Sequence, residues 1–209
     1  MSRVVKGGDG RTRCAWSASA PEFDAYHDTE WGFPVGDDRR LFEKICLESF
    51  QSGLSWRTIL AKRENFRAAF DGFDYHAMAA YGPEKVAALL QDAGIIRHRG
   101  KIEAVINNAA RAVEMEQSEG SLAAFFWRYE VETPPEPQTV STCPESVALS
   151  KELKTRGWKF VGPTTCFAFM QAMGLVNDHA VGCYCRALAA KARQGFAKPV
   201  QSARRTPAV

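Results

Sequence analysis

The chain has no run of about 18 apolar residues, the length a membrane-spanning helix needs. Its opening stretch, MSRVVKGGDGRTR, lacks the apolar block of a signal peptide. The expectation is a soluble, cytoplasmic protein with no membrane partner. Histidine is scarce, at four, and six cysteines are scattered over 209 residues. Such scatter does not make a secreted disulfide framework, so free thiols or a metal site are expected instead. No Pro-Cys-x-x-Cys motif occurs, which disfavours a zinc deaminase. Alternating strand patterns are also missing, apart from a short extended piece at 158–161, and the fold class is read as all-α. Finally, no aspartate falls between Asp92 and Asp178.

What is present is apolar and aromatic. Hydrophobic residues make up 45% of the chain and aromatic residues 11%, with five tryptophans. That suffices for a sizeable core and favours ring binding or thick packing. The net charge of +3 is unevenly spread. The two ends, 1–13 and 186–209, carry nine net positive charges between them, which leaves the body at −6. A polyanion would therefore meet a local basic patch on the body, or the tails, rather than a uniformly positive molecule. Residues 1–12 read as a flexible basic arm and 186–209 as a basic, disordered tail.

The stretch 41–56, LFEKICLESFQSGLSW, organises the rest. Leu41, Phe42, Ile45 and Cys46 repeat at helical spacing, and Leu47 and Phe50 make the opposite side apolar. A helix greasy almost all round belongs in the middle of a fold. Glu48 shares the buried stripe, where an unpaired carboxylate is costly. Either it pairs with an Arg or backbone amides, or it faces a ligand. Trp16, Tyr26, Trp31 and Trp56 lie in segments able to converge on it, and a carboxylate in an aromatic cage suits a flat, polar or cationic ligand.

Further helices are expected at Tyr26 and His27, at 58–70, 75–80, 121–129, 145–156 and 163–173, with Asp37 or Asp38 capping the central one. Gly82-Pro83 opens another helix, closed at Gly94, and a long amphipathic helix runs from Lys101 to about 117. The turn between them bears Arg97, His98, Arg99 and Lys101, either a helix-hairpin-helix that holds a phosphate or a generic basic turn. The Pro-rich stretch 131–144 is a lobe boundary or a surface loop. Cys14 and His27 near one end, with His179 and Cys183 near the other, form either a closed tetrahedral zinc set or a group of buried small residues.

The segments RCAW, YHDTEWG, LFEKICLESFQSGLSW, KRENFR, QDAGIIRHRGKI, RGWKFVGPTTCFAFMQAMGLVNDH and VGCYC resemble, in order, the type I 3-methyladenine DNA glycosylases of bacterial alkylation repair. The resemblance covers about 13–185 and implies a helix-hairpin-helix glycosylase domain, two helical lobes around a base pocket. It implies one structural zinc held by Cys14, His27, His179 and Cys183, joining the two ends of that body. It also implies that a damaged base is flipped from double-stranded DNA, hydrogen-bonded by Glu48 and Tyr26, and stacked on Trp56. Trp16 and Trp31 would line the pocket, with Phe23 where related sequences are expected to carry Tyr. Gly53 and Leu54 would enter the gap in the duplex, and Arg97, Arg99 and Lys101 would touch phosphates.

The expected activity is monofunctional hydrolysis by a monomer, releasing free 3-methyladenine. The missing aspartate fits a substrate whose N3-methylation already makes it a good leaving group. Two other classes remain: a non-catalytic, zinc-stapled nucleic-acid-binding module, and a glycosylase/lyase using Lys101 as its amine.

Overall fold

The central helix begins where Asp37, in extended backbone, accepts a hydrogen bond from the amide of Arg40. Its neighbour Asp38 turns the other way and accepts from the amides of Leu122 and Ala123, at 3.0 and 2.8 Å. Adjacent carboxylates thus cap two different helices, each cap worth about 1 kcal/mol. The computed structural model describes residues 3–200. In order these form β1 (Val4–Lys6), β2 (Thr12–Cys14), α1 (Glu22–Thr29), α2 (Asp38–Gln51), α3 (Trp56–Ala61), α4 (Arg63–Ala69), α5 (Tyr75–Ala79) and α6 (Pro83–Gln91). They continue with α7 (Arg99–Glu119), α8 (Leu122–Phe126), α9 (Pro144–Thr155), α10 (Pro163–Ala172) and α11 (Tyr184–Gln194). The sequence reads as all-α; the structure is mostly helical, with one two-stranded hairpin that this reading does not include.

Helix α2 is buried because its apolar residues surround it. Leu41, Phe42, Ile45, Cys46, Leu47 and Phe50 have almost no exposed surface. Helices α3, α7, α8 and α10 pack against it. At roughly 1.5–3 kcal/mol for each fully buried large apolar side chain, this helix anchors the core. The single helix expected over 58–70 is two, because Lys62 leaves helical geometry between α3 and α4. Its ammonium reaches instead to the carbonyls of Ala93 and Gly94, both at 3.0 Å.

Gly94 does not close α6 with a left-handed residue. The helix stops at Gln91, and Asp92 accepts from the Gly94 amide at 2.7 Å. Glycine is needed there because a Cβ would stand 2.9 Å from Asp92 Oδ1 and 3.2 Å from Asn65 Cβ. The Pro-rich stretch is a packed surface loop, tied down through Val131 to Leu175 and through Gln138 to Asp178.

Both ends need correction. Residues 4–6 are not a free arm: Val4 pairs with Cys14, Val5 with Arg13 and Lys6 with Thr12. The body also continues past 185, since α11 buries Cys185 and Ala189. Arg193 bonds the Gly174 carbonyl and Glu130, and Phe196 packs on Trp127 with ring centres 4.5 Å apart. These contacts outweigh the disorder that the basic composition suggested. Residues 1–2 of the expected arm and 201–209 of the expected tail lie outside the described residues.

Candidate active site

Glu48 sits on α2 among aromatic rings. Trp16 comes from the 3-10 turn after β2, Tyr26 from α1, Trp31 from the segment after it, and Trp56 opens α3 behind its cap Ser55. With Glu48, Gln51, Ala168 and Gln171 they line a chamber of about 180 Å³. Trp16 meets Trp31 edge-on at 5.1 Å, and Tyr26 tilts against Trp56 at 5.4 Å. The structure thus brings together Trp16, Tyr26, Trp31, Glu48 and Trp56, as the sequence suggested. Phe23 is corrected: it stands behind Trp16 at 5.7 Å and does not line the chamber.

The partner of Glu48 is neither an Arg nor a set of amides. Lys44, one turn earlier on the same helix, places its ammonium 2.7 Å from Glu48 Oε1, with both side chains buried. The same ammonium donates to the Tyr26 hydroxyl at 2.8 Å and lies 3.3 Å above the Trp56 ring centre. Burial pushes the Lys44 pKa down, and the Glu48 charge opposes that shift. Burial also drives the Tyr26 pKa well up, with the Glu48 charge adding to it, so the hydroxyl keeps its proton. A carboxylate has two acceptor oxygens and a phenol can donate as well as accept. One acceptor and one donor therefore remain for the polar edge of a flat ligand.

Sequence reading missed Lys44, Gln51, Ala168 and Gln171. Only Lys44 carried a signal, its i,i+4 spacing to Glu48 on a buried stripe. A second hollow of about 310 Å³ adjoins the chamber, sharing Glu48, Gln51 and Ala168, and is bordered by Ser52, Gly53, Leu54, Thr164 and Thr165. Gly53 takes φ +77°, which lets the chain turn sharply between α2 and α3, and it leaves Leu54 41% exposed at the rim.

Helices α6 and α7 are joined by the basic turn, with His98 capping α7. Arg97 and Arg99 are exposed there. Lys101 is not: its ammonium is buried against the carbonyls of Phe50 and Ser52, at 2.9 and 2.5 Å. The reading of Lys101 as a phosphate contact is corrected, since these carbonyls at the end of α2 occupy it.

The far-apart cysteine and histidine pairs do meet. Donor atoms of Cys14, His27, His179 and Cys183 all lie within 4.8 Å of one another, and all four residues are buried. Cys183 Sγ is 3.4 Å from His27 Nε2 and 3.7 Å from His179 Nδ1, and Cys14 Sγ is 3.7 Å from His179 Nδ1. The outer ring nitrogens are engaged elsewhere, His27 Nδ1 with Asp28 at 2.8 Å and His179 Nε2 with the Trp31 carbonyl at 3.0 Å. Burial raises the Asp28 pKa, but hydrogen bonds from Arg13, Tyr184 and His27 outweigh it and bring the value down to about 2. Cys46 is simply buried, the Cys166 thiol donates to the Val161 carbonyl at 3.5 Å, and the Cys143 sulfur accepts from the Ser146 amide at the start of α9.

A mostly helical body whose central helix offers one carboxylate inside a cage of aromatic rings has the form suited to binding a flat, polar ring. The methyladenine glycosylase family model matches residues 16–187. DNA-3-methyladenine glycosylase 1 of Escherichia coli (strain K12) is 54% identical over 83% of this chain and 96% of its own length. A crystal structure of 3-methyladenine DNA glycosylase I superposes with a TM-score of 0.79 at 52% identity, covering 83% of this chain and 98% of that one. A Staphylococcus aureus structure, described as giving the basis of 3-methyladenine recognition, has a TM-score of 0.77 at 35% identity, with coverage of 83% and 96%. The chain belongs to the methyladenine glycosylase family.

Proposed function

We propose that this protein is a monofunctional DNA glycosylase of base-excision repair that removes 3-methyladenine from alkylated double-stranded DNA. The observation that carries the reading is the Glu48 carboxylate set among Trp16, Tyr26, Trp31 and Trp56. A base inside a duplex cannot reach such a chamber, so the nucleotide must be flipped out, at a few kcal/mol of unstacking. Leu54, exposed on its Gly53 turn beside the chamber mouth, has the shape and position to fill the gap left in the stack. Arg97 and Arg99 at the α6–α7 turn, read as a helix-hairpin-helix, supply phosphate contacts.

Methylation at N3 puts a positive charge on the adenine ring. When the bond between C1′ and N9 breaks, its electron pair moves onto the purine and cancels that charge. Water adds its oxygen to C1′ and releases a proton to solvent. Glu48 recognises the base and stabilises positive charge rather than acting as a nucleophile, while the aromatic faces hold the ring. Unmethylated adenine is neutral, a poor leaving group, and is spared. Lys101, buried on main-chain carbonyls, is badly placed to serve as a lyase amine.

Cys14, His27, His179 and Cys183 would hold one structural zinc. A tetrahedral zinc with ordinary Zn–S and Zn–N lengths sets sulfur and nitrogen roughly 3.6 Å apart, and the three separations above span 3.4–3.7 Å. The carboxylate and carbonyl on the outer nitrogens are the partners that metal-bound histidines use. With four protein ligands, the ion would have no open position for catalysis. The protein is expected to work as a cytoplasmic monomer.

Incubation with methylated DNA, followed by chromatography of the released bases, tests the reading. Release of 3-methyladenine supports it. Tight DNA binding with no base released would point to a non-catalytic, zinc-stapled nucleic-acid-binding module.

A further inference from the structure

Lys44 has no part in the roles assigned above, yet its ammonium touches three members of the base site at once. It meets Glu48 Oε1 at 2.7 Å, the Tyr26 hydroxyl at 2.8 Å and the Trp56 ring centre at 3.3 Å. It does not line the chamber itself. It borders a narrow cleft on the other side of the Tyr26 and Trp56 pair, a space of about 30 Å³. Of the other cleft cations, Arg63 pairs with Glu30 at 2.6 Å and Arg67 with Glu43 at 2.7 Å, while Arg40 is exposed to solvent. The nearest counter-charge to Lys44 is Glu48, and the reverse holds too. The inner wall of the chamber is therefore close to neutral rather than negative.

We infer that Lys44 is a specificity-determining residue that weighs against a cationic base in the chamber and not against a neutral one. The inference rests on the reading of Tyr26, Glu48 and Trp56 as the base site. A ring that stacks on Trp56 and bonds Glu48 must lie within a few ångströms of the Lys44 ammonium, because that ammonium contacts both. In a buried site like charges at such range repel far more strongly than in water. The repulsion acts on the bound, charged nucleotide. It fades as the C1′–N9 electron pair moves onto the purine and the positive charge passes to the sugar. Lys44 thus trades ground-state affinity for a smaller loss, or none, in the transition state, the differential that raises turnover rather than binding.

The test is calorimetric titration of two free bases into wild-type protein, Lys44→Met, Glu48→Gln and the double variant. The probes are 3-methyladenine at pH 8, which is neutral, and 3,9-dimethyladeninium, whose charge is permanent. Lys44→Met should raise the cation-over-neutral affinity ratio by at least about ten-fold, with neutral-base affinity changing by less than about three-fold. Should Lys44→Met fail to fold with its carboxylate unpaired, the double variant against Glu48→Gln gives the same comparison without that carboxylate. There too, removing Lys44 should raise the ratio. If Glu48→Gln lowers the ratio while removal of Lys44 leaves it unchanged, the inference is overturned. A ratio that Glu48→Gln does not move overturns the base-site reading itself.

Discussion

The ammonium of Lys101 donates to the main-chain carbonyl of Phe50 across 2.9 Å, tying the first turn of α7 to the last turn of α2. A second bond to the Ser52 carbonyl extends the tie to the turn that carries Gly53 and Leu54. The start of α7 and the rim of the chamber are therefore joined by one cation at the negative end of a helix. Lys101→Ala removes charged hydrogen bonds worth roughly 1.5–3 kcal/mol each at most and leaves two carbonyls short of a partner. The melting temperature should fall by several degrees, at about 2–4 °C per kcal/mol for a chain of this size. The salt dependence of DNA binding should stay as it was. A Lys101→Ala protein of wild-type stability with a flatter salt slope would restore the phosphate reading.

Arg97 and Arg99 give the opposite expectation. Both are exposed at the α6–α7 turn, and among the described residues Arg99 has a 3.3 Å contact to the exposed Glu103 to lose. Replacing either with Ala should leave stability nearly unchanged. Each should lower the slope of log K against log salt by about 0.9, the effect of one phosphate contact on duplex DNA. Affinity for all sequences should drop alike, and a change confined to methylated sites would mean that the hairpin does not meet the backbone.

The central helix was legible because its apolar residues repeat on every side and its cap is a local, i to i+3 feature. Glu48 stood out because charge and stripe disagree at one position. Its partner was harder to see, since Lys44 is held in place by Tyr26 and Trp56, residues brought to it only by tertiary packing. The β1–β2 pair escaped notice because strands of three residues carry no readable alternation. Helix α11 was hidden by its own composition. Only Cys185 and Ala189 are buried along it, a stripe too thin to register among Arg and Lys. The resemblance located Lys101 near phosphate, and nothing in its neighbours reveals that Phe50 and Ser52 claim it.

The thiol and imidazole cluster joins residues more than 150 positions apart, as in the Cys183–His27 contact. If it holds zinc, metal binding contributes directly to folding. Metal analysis should then find about one zinc per chain, and a strong chelator should lower the melting temperature. Cys183→Ser should destabilise more than Cys143→Ser, whose sulfur only accepts one bond at a helix start. Asp28→Asn, which weakens the partner of His27, should cost roughly 10–100-fold in zinc affinity. A metal-free preparation as stable as the loaded one would remove the assignment.

Trp56 offers a ring face to the chamber, and its indole Nε1 is buried with no partner among the described residues. Trp56→Ala gives up no indole hydrogen bond within the fold, so its stability cost should come from packing alone. The loss of a stacking platform is worth roughly 1–3 kcal/mol for a base on an aromatic ring. Single-turnover excision of 3-methyladenine should therefore fall by about 5- to 150-fold, measured at equal DNA occupancy. Trp56→Phe, which keeps a ring, should recover much of that loss, and a Phe variant as poor as Ala would argue against stacking.

Glu48→Gln keeps the shape and a hydrogen-bonding oxygen but deletes the negative charge. On the function proposed here it should weaken recognition and excision of 3-methyladenine while leaving affinity for undamaged DNA nearly intact. The Lys44 pair complicates the single variant. Removing the carboxylate strands a buried ammonium, and breaking a buried ion pair from one side costs about 3–5 kcal/mol. Lost activity in Glu48→Gln alone thus has two explanations, a missing contact to the base or a weakened fold. The charge-free double variant, Lys44→Met with Glu48→Gln, separates them. It removes both members of the pair, so the melting temperature should return most of the way to wild type. Excision should not return, because the carboxylate that faces the base is still absent. Thermal melting and single-turnover excision on the same two preparations decide the matter. A stable double variant that excises at the wild-type rate would leave Glu48 as a partner for Lys44 and nothing more.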